Sequence, residues 1–209
     1  MRHLLRLCIV VMWQTVDAGS STSITLLRNA EPHCLATKIG ENWLITAKHC
    51  VHQAGRKSPD SPDLYEARWQ GTKVSIKKIF TLGESYTNLG NLHGKDLAVL
   101  CIDKGIEQLP ITKIAIASTD GPWFASTMKE NVTFSSIFHL DERVLITPNV
   151  SCEGDSGGGL FNIDGDIVGV ASWRTANVCG RGRSVYTRID SYLKWVYSKL
   201  EESCLENSE

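Results

Sequence analysis

The sequence predicts an all-β chain that ends in one α-helix. Three observations carry this. Short apolar runs alternate with clusters of Gly, Pro, Asn, Asp and Ser along the chain, which is how half-buried strands and their turns read. Asp164-Gly165 stands between two apolar runs and supplies the positive backbone torsion that a tight hairpin demands. After Asp190 the apolar period lengthens, and Ile189, Leu193, Val196, Tyr197 and Leu200 fall at helical spacing.

Taken in order, strands are expected over 34–39, 43–46, 65–69, 73–80, 97–102, 112–117, 143–146, 159–163, 166–173 and 183–188. The stretch 53–63 is rich in Pro, Ser and charge and reads as a surface loop, and 83–95 is a second loop that ends at Asp96. Asp190 or Ser191 is the expected N-cap of the final helix. The acidic tail Leu205-Glu206-Asn207-Ser208-Glu209 is expected to be disordered.

Composition limits the function classes. The chain has 209 residues, 42% of them hydrophobic, enough for a substantial core. Its net charge of −1 leaves no basic excess for nucleic acid. The N-terminus reads as a secretory signal peptide over residues 1–18: Arg2 and Arg6, then the short apolar run Leu7 to Trp13, then small residues Val16 and Ala18 before the cut. That run is too short to span a bilayer. Apart from Cys8 in the signal, the cysteines are Cys34, Cys50, Cys101, Cys152, Cys179 and Cys204, an even set suited to an oxidising compartment and a secreted protein. Two glycosylation sequons begin at Asn131 and Asn149; Asn131 is the expected acceptor and Asn149 is expected to stay bare.

Three motifs carry chemistry. Cys152-Glu153-Gly154-Asp155-Ser156-Gly157-Gly158-Gly159 holds a serine in a glycine-rich turn, where the N–H groups of Gly154 and Ser156 can converge on a developing oxyanion. A serine hydroxyl needs a base and an orienting acid. Thr46-Ala47-Lys48-His49-Cys50 follows the apolar run Trp43-Leu44-Ile45, and Lys95-Asp96 opens the run Leu97 to Leu100. Their order along the chain is His, Asp, Ser. A zinc cluster of His33, Cys34, His49, Cys50 and His52 is rejected, because no paired CxxC spacing is present. A calcium loop at Asn162, Asp164 and Asp166 is rejected because Ile167 stands where the loop needs glycine. His3, His33, His52, His93 and His139 have no partner pattern. A lipase-type esterase would need a nucleophile elbow and a different order of the three residues.

These motifs, with Val170-Ala171-Ser172-Trp173 and Val185-Tyr186-Thr187-Arg188, resemble the trypsin/chymotrypsin-like serine proteases over roughly residues 33–200. The resemblance implies two packed antiparallel β-barrels with the C-terminal helix: residues 19–108 forming the half with His49 and Asp96, and 109–209 the half with Ser156. The interval from Ser118 to Cys152 is shorter than the family's. The resemblance makes Ser156 the nucleophile, His49 the base, Asp96 its orienting acid, and Ser172 a contact behind that acid. It pairs Cys34 with Cys50 and Cys152 with Cys179; Cys101 with Cys204 follows as a hypothesis. It places Val150 at the floor of the substrate pocket, where valine offers no charge to Lys or Arg, and Ser172, Trp173, Arg174 and Ser184 along its walls. A small apolar or acidic side chain before the scissile bond is therefore expected.

One departure bears on activity. Family zymogens free an Ile-Val-Gly-Gly-like end whose amine pairs with the aspartate before the nucleophile, here Asp155. No such tetrapeptide is present, and Ile24-Thr25-Leu26-Leu27 is the nearest sequence. Either another cation such as Arg143 serves Asp155, or the oxyanion loop is poorly formed. Two functions compete: a monomeric secreted endopeptidase acting on protein or peptide substrates and open to protein inhibitors, needing no cofactor or metal, or a catalytically impaired homologue acting as a binding protein.

Overall fold

In the computed structural model the described residues are 23–83, 94–118 and 120–204. The expected signal peptide, the acidic tail, His3, His93 and most of the 83–95 loop lie outside them.

Six strands form the first sheet: β1 (Ser23–Arg28), β2 (Glu31–Gly40), β3 (Trp43–Thr46), β4 (Tyr65–Trp69), β5 (Thr72–Thr81) and β6 (Ala98–Ile102). They run in the order β1-β2-β3-β6-β5-β4, and antiparallel pairing of β1 with β4 closes the barrel. Burial explains the closure. β4 alternates, with Tyr65, Ala67 and Trp69 inward and Glu66 and Arg68 less buried. β6 is buried along its whole length, as a strand between β3 and β5 with packing on both faces must be.

The second half is a barrel-like sheet of seven strands: β7 (Asp120–Ala125), β8 (Val132–Ser136), β9 (His139–Leu140), β10 (Val144–Pro148), β11 (Gly159–Phe161), β12 (Ile167–Arg174) and β13 (Arg183–Arg188), in the order β8-β7-β11-β12-β13-β10-β9. A 3-10 turn, Asp190–Tyr192, leads into α1 (Leu193–Leu200). No helix among the described residues is long and apolar enough to cross a membrane. One core cluster fills the first barrel and takes in Phe161, Ile167, Val170, Ile189 and Val196 from the second half. A smaller cluster around Trp123, Leu145, Leu160 and Tyr186 lies within the second sheet. The apolar junction fixes the two halves against each other, which positions residues that meet across it.

Several elements differ from the sequence expectation. β1 was not expected, because its hairpin to β2 turns on Asn29 (φ 51°) and Ala30 (φ 68°), a turn with no glycine to announce it. The segment 112–117 is no strand. It crosses between the halves, with the Thr112 N–H on the Lys38 carbonyl and a single parallel bridge from Ile114 to Ile167, and it leaves Ile116 76% exposed. β7 forms despite Gly121-Pro122, which read as breakers. An irregularity in its pairing with β8, between Asp120 and Trp123, accommodates them. β8 and β9 were also missed. Neither Asp190 nor Ser191 caps α1. Asp190 instead accepts the Ala117 N–H and pairs with Arg188, and the Ser191 hydroxyl donates to the Glu142 carbonyl. Tyr197, placed on the apolar face by its spacing, is 48% exposed. The strand expected to 163 stops at Phe161, where Asn162 accepts the N–H groups of Asp164 and Asp166 and builds the hairpin turn.

Three disulfides brace the fold: Cys34–Cys50, Cys101–Cys204 and Cys152–Cys179. Cys101–Cys204 ties the chain after α1 to β6.

Candidate active site

The end of β3 gives way to a 3-10 turn at Lys48–Cys50, and His49 sits at its middle. Its main-chain N–H donates to Asp96 Oδ1 at 2.9 Å, and its Nδ1 lies 2.7 Å from Asp96 Oδ2. Asp96 is fully buried just before β6. A third donor to Asp96 is the Ser172 hydroxyl of β12, on Oδ2 at 2.6 Å. The carboxylate of one sheet is thus held by a side chain of the other. Burial lowers the His49 pKa, but the Asp96 charge and the hydrogen bond to it outweigh this and hold it above 6.5. An Nδ1–H on Asp96 leaves Nε2 as the free acceptor of the neutral ring.

Ser156 reaches the same place through the backbone. Its carbonyl accepts the Leu35 N–H at 2.8 Å, and the Leu35 carbonyl accepts the Thr46 hydroxyl at 2.7 Å. Cys34, beside Leu35, is bridged to Cys50, beside His49. On the other side the Gly157 N–H donates to Ala171, next to Ser172. Gly157 has φ +81°, and a Cβ there would lie 2.1 Å from the Leu35 carbonyl oxygen and 2.2 Å from Thr46 Oγ1. Only glycine lets β2 and β3 approach the serine turn this closely. His49 Nε2 stands 3.9 Å from Cys50 Sγ, and among the described residues no hydrogen bond links His49 to the Ser156 hydroxyl. Such contacts are commonly loose in an empty site and tighten with substrate.

A cavity of about 270 Å³ opens beside Ser156. Glu153, Gly154 and Ser156 form one wall, Ala171 to Arg174 with Asn177 the other, and Ser151 and Cys152 complete it. Of the expected pocket residues, Ser172, Trp173 and Arg174 line it, while Val150 and Ser184 do not. Val150 packs toward the second core cluster. Ser184 is fully buried, with its hydroxyl 3.1 Å from the N–H groups of Val150 and Ser151 and 2.7 Å from Ser151 Oγ, so it supports the segment behind the cavity. Arg174 is partly buried and forms no ion pair or side-chain hydrogen bond among the described residues.

Gly154, at φ +91°, is the third residue of a turn closed by the Asp155 N–H on the Cys152 carbonyl. Asp155 is 2% exposed. Among the described residues no cation serves Asp155: its oxygens take main-chain N–H groups, Oδ1 from Met128 and Oδ2 from Cys152, each at 2.6 Å. Arg143 packs against Gly94 instead. Met128 escaped the sequence reading because a backbone donor has no residue-type signature. Lys48 also went unremarked: it is buried, and its ammonium donates to the carbonyls of Leu82 and Gly83 at 2.8 and 3.0 Å. Burial lowers its pKa, opposed by the nearby Asp96 charge.

The ligand atoms of Cys34, His49 and Cys50 lie within 4.8 Å of one another, but disulfide sulfurs offer no thiolate to a metal. His33 and His52 bond the carbonyls of Cys50 and Arg56. The Asn149 amide donates to the carbonyls of Val178 and Arg181, and its oxygen accepts the Ser184 hydroxyl.

The chain is similar to known proteins along most of its length. It is 23% identical over 224 residues to "Trypsin Tyr p 3.0101" of Tyrophagus putrescentiae, covering 88% of this chain and 77% of that one. It is 24% identical over 214 residues to "Transmembrane protease serine 11G" of Rattus norvegicus, covering 79% of this chain but spanning only 49% of that protein's length. Among solved structures, a Glu endopeptidase in complex with MPD has a TM-score of 0.69 at 16% identity, covering 87% of this chain and 92% of that one, which shows a shared fold. The family model described as Trypsin matches residues 10–122 and 142–196, most of the two-halved fold that holds His49, Asp96 and Ser156, and the chain belongs to the trypsin family of serine proteases.

Proposed function

We propose that the protein is a secreted serine endopeptidase that acts as a monomer, with no cofactor, through Ser156, His49 and Asp96. The observation that carries this is the three-donor arrangement at Asp96, which orients His49 with Nε2 free to take a proton. In this reading Ser156 Oγ attacks the scissile carbonyl while His49 Nε2 takes its proton. The charge on the resulting imidazolium is stabilised by Asp96. The tetrahedral oxyanion is held by the N–H groups of Gly154 and Ser156, a donor pair of which each member is typically worth about 3–4 kcal/mol. Collapse expels the amine, which receives the proton from His49. Water then attacks the acyl-enzyme with His49 again as base, and Ser156 is released. The β12 edge from Ser172 to Arg174 offers an extended surface against which substrate main chain can lie.

Substrate preference follows from charge. Arg174 lines the cavity and is a cation without a partner among the described residues. Glu153 also lines the cavity but is exposed, where solvent screens it. We assign the pocket to an acidic or small apolar side chain rather than Lys or Arg. The N-terminal signal and three disulfides support secretion. Asn131 is the proposed glycan acceptor, since the Asn149 amide is already bonded internally.

The test is hydrolysis of a peptide library by the purified protein and by Ser156→Ala. Cleavage by the first that disappears in the second supports the endopeptidase. Absence of cleavage by both favours a catalytically impaired binding protein.

A further inference from the structure

We infer that the hairpin between β12 and β13 is a docking arm for acidic substrate: the guanidinium groups of Arg181 and Arg183 receive carboxylates that lie upstream of the residue in the pocket. This rests on the endopeptidase reading and names its substrate class. Residues 174–183 hold three arginines and no Asp or Glu, in a chain whose net charge is −1. Arg174 marks the pocket end of the arm, where it lines the cavity. Arg181 and Arg183 are exposed. Among the described residues none of the three pairs with a carboxylate, and Arg174 shares the cavity with Glu153 without an ion pair to it. Unmatched cations crowded on one arm favour an anionic partner.

The arm is held in shape. The Thr175 N–H donates to the Arg183 carbonyl at 3.0 Å, and the Thr175 hydroxyl accepts the Arg183 N–H at 2.8 Å. The Asn149 amide spans the tip, donating to the carbonyls of Val178 and Arg181. The Cys152–Cys179 bridge fastens the tip to the serine turn. Cations on a frame of this kind lose little freedom when a carboxylate docks. Two observations favour a peptide over another polyanion. β12 ends at Arg174, so a chain laid along its edge with the scissile bond at Ser156 runs on toward residues 175–183. Large apolar groups also stand exposed among the cations: Val178 on the arm itself, and Phe138, whose ring centroid lies 5.1 Å from the Arg183 guanidinium carbon. Arginine and aromatic side chains together have the composition of protein contact surfaces, and a sulfated sugar has nothing to set against Val178.

Two peptides decide it, alike in carrying Ala before the scissile bond and differing only in Glu or Gln at the third to sixth residues upstream of that bond. Holding Ala fixed keeps the pocket's own preference out of the comparison. We expect the Glu peptide to have a KM about fivefold lower with kcat within about twofold, an advantage that fades in about 0.5 M NaCl. It falls below about twofold when Arg181→Ala and Arg183→Ala are combined, persists with Lys at both positions, and reverses with Glu at both. Equal KM for the two peptides in the wild type, or an advantage that outlasts the double Ala variant, would overturn the inference. Binding gives a readout that needs no turnover. Fluorescence anisotropy of the labelled peptides on Ser156→Ala should give a Kd about fivefold lower for Glu than for Gln; equal values defeat the arm even where cleavage is absent. Binding of a long sulfated polysaccharide, lost in the double Ala variant, with no preference for the Glu peptide would assign the arm to that polymer and defeat the peptide. Preferential binding of the Glu peptide with no cleavage by the wild type would instead count against the endopeptidase reading alone.

Discussion

The Ser172 hydroxyl and the His49 ring converge on one oxygen of Asp96, at 2.6 and 2.7 Å, although Ser172 belongs to the second sheet and His49 to the first. The contact fastens the Asp96 carboxylate across the junction of the two halves. Its loss leaves Asp96 with one donor fewer and a freer carboxylate. A charge-assisted hydrogen bond contributes about 1.5–3 kcal/mol, so Ser172→Ala should lower kcat/KM by about tenfold and lower the melting temperature by about 3–10 °C. Steady-state kinetics alongside a thermal melt checks this.

The pH profile follows from the raised pKa of His49. In the proposed mechanism its neutral form is the base, so kcat/KM should rise with pH through a midpoint above 6.5. In Asp96→Asn the raising influences are gone and burial alone acts, so the midpoint should fall below 6.5 while kcat drops by about 10⁴. The stability effect has the opposite sense. A folded pKa above the unfolded one contributes stability that is fully present below pH 6.5 and is lost as pH rises through the folded value. Rate measurements and denaturation across the same pH range test both signs.

Gly157→Ala should fail for a reason unconnected with chemistry. The added methyl would sit 2.1 Å from the Leu35 carbonyl oxygen, at a positive φ. The serine turn and β2 cannot both keep their places, and a loss of more than about 3 kcal/mol is expected in denaturant unfolding.

Arg174→Ala should lower turnover of peptides with Asp or Glu before the scissile bond by about tenfold or more, and leave those with Ala or Val nearly unchanged. A peptide library read for both variants decides it. Efficient cleavage after Lys or Arg by the wild type would refute the assignment of the pocket.

How far the sequence reading reached depended on where the information lies. His49, Asp96 and Ser156 could be picked out as candidates because the chemistry proposed for them resides in side chains set beside recognisable apolar runs and glycines. The β1 hairpin was hidden because Ala30 takes a positive φ without being glycine. β7 was hidden because Gly121-Pro122 reads as a break, while an irregular pairing with β8 accommodates it. Asp190 has the composition of a helix cap, yet its carboxylate is taken by Ala117 and Arg188, partners set only by the fold. Asp155 was seen to need a partner, but a main-chain N–H from Met128 could come only from coordinates.

The most direct measurement is covalent labelling with a fluorophosphonate, followed by mapping of the modified residue by mass spectrometry. The account predicts one adduct, on Ser156, formed by the secreted protein and lost in His49→Ala. A secreted, folded protein that takes no label at Ser156, or takes it equally well without the imidazole, would contradict it.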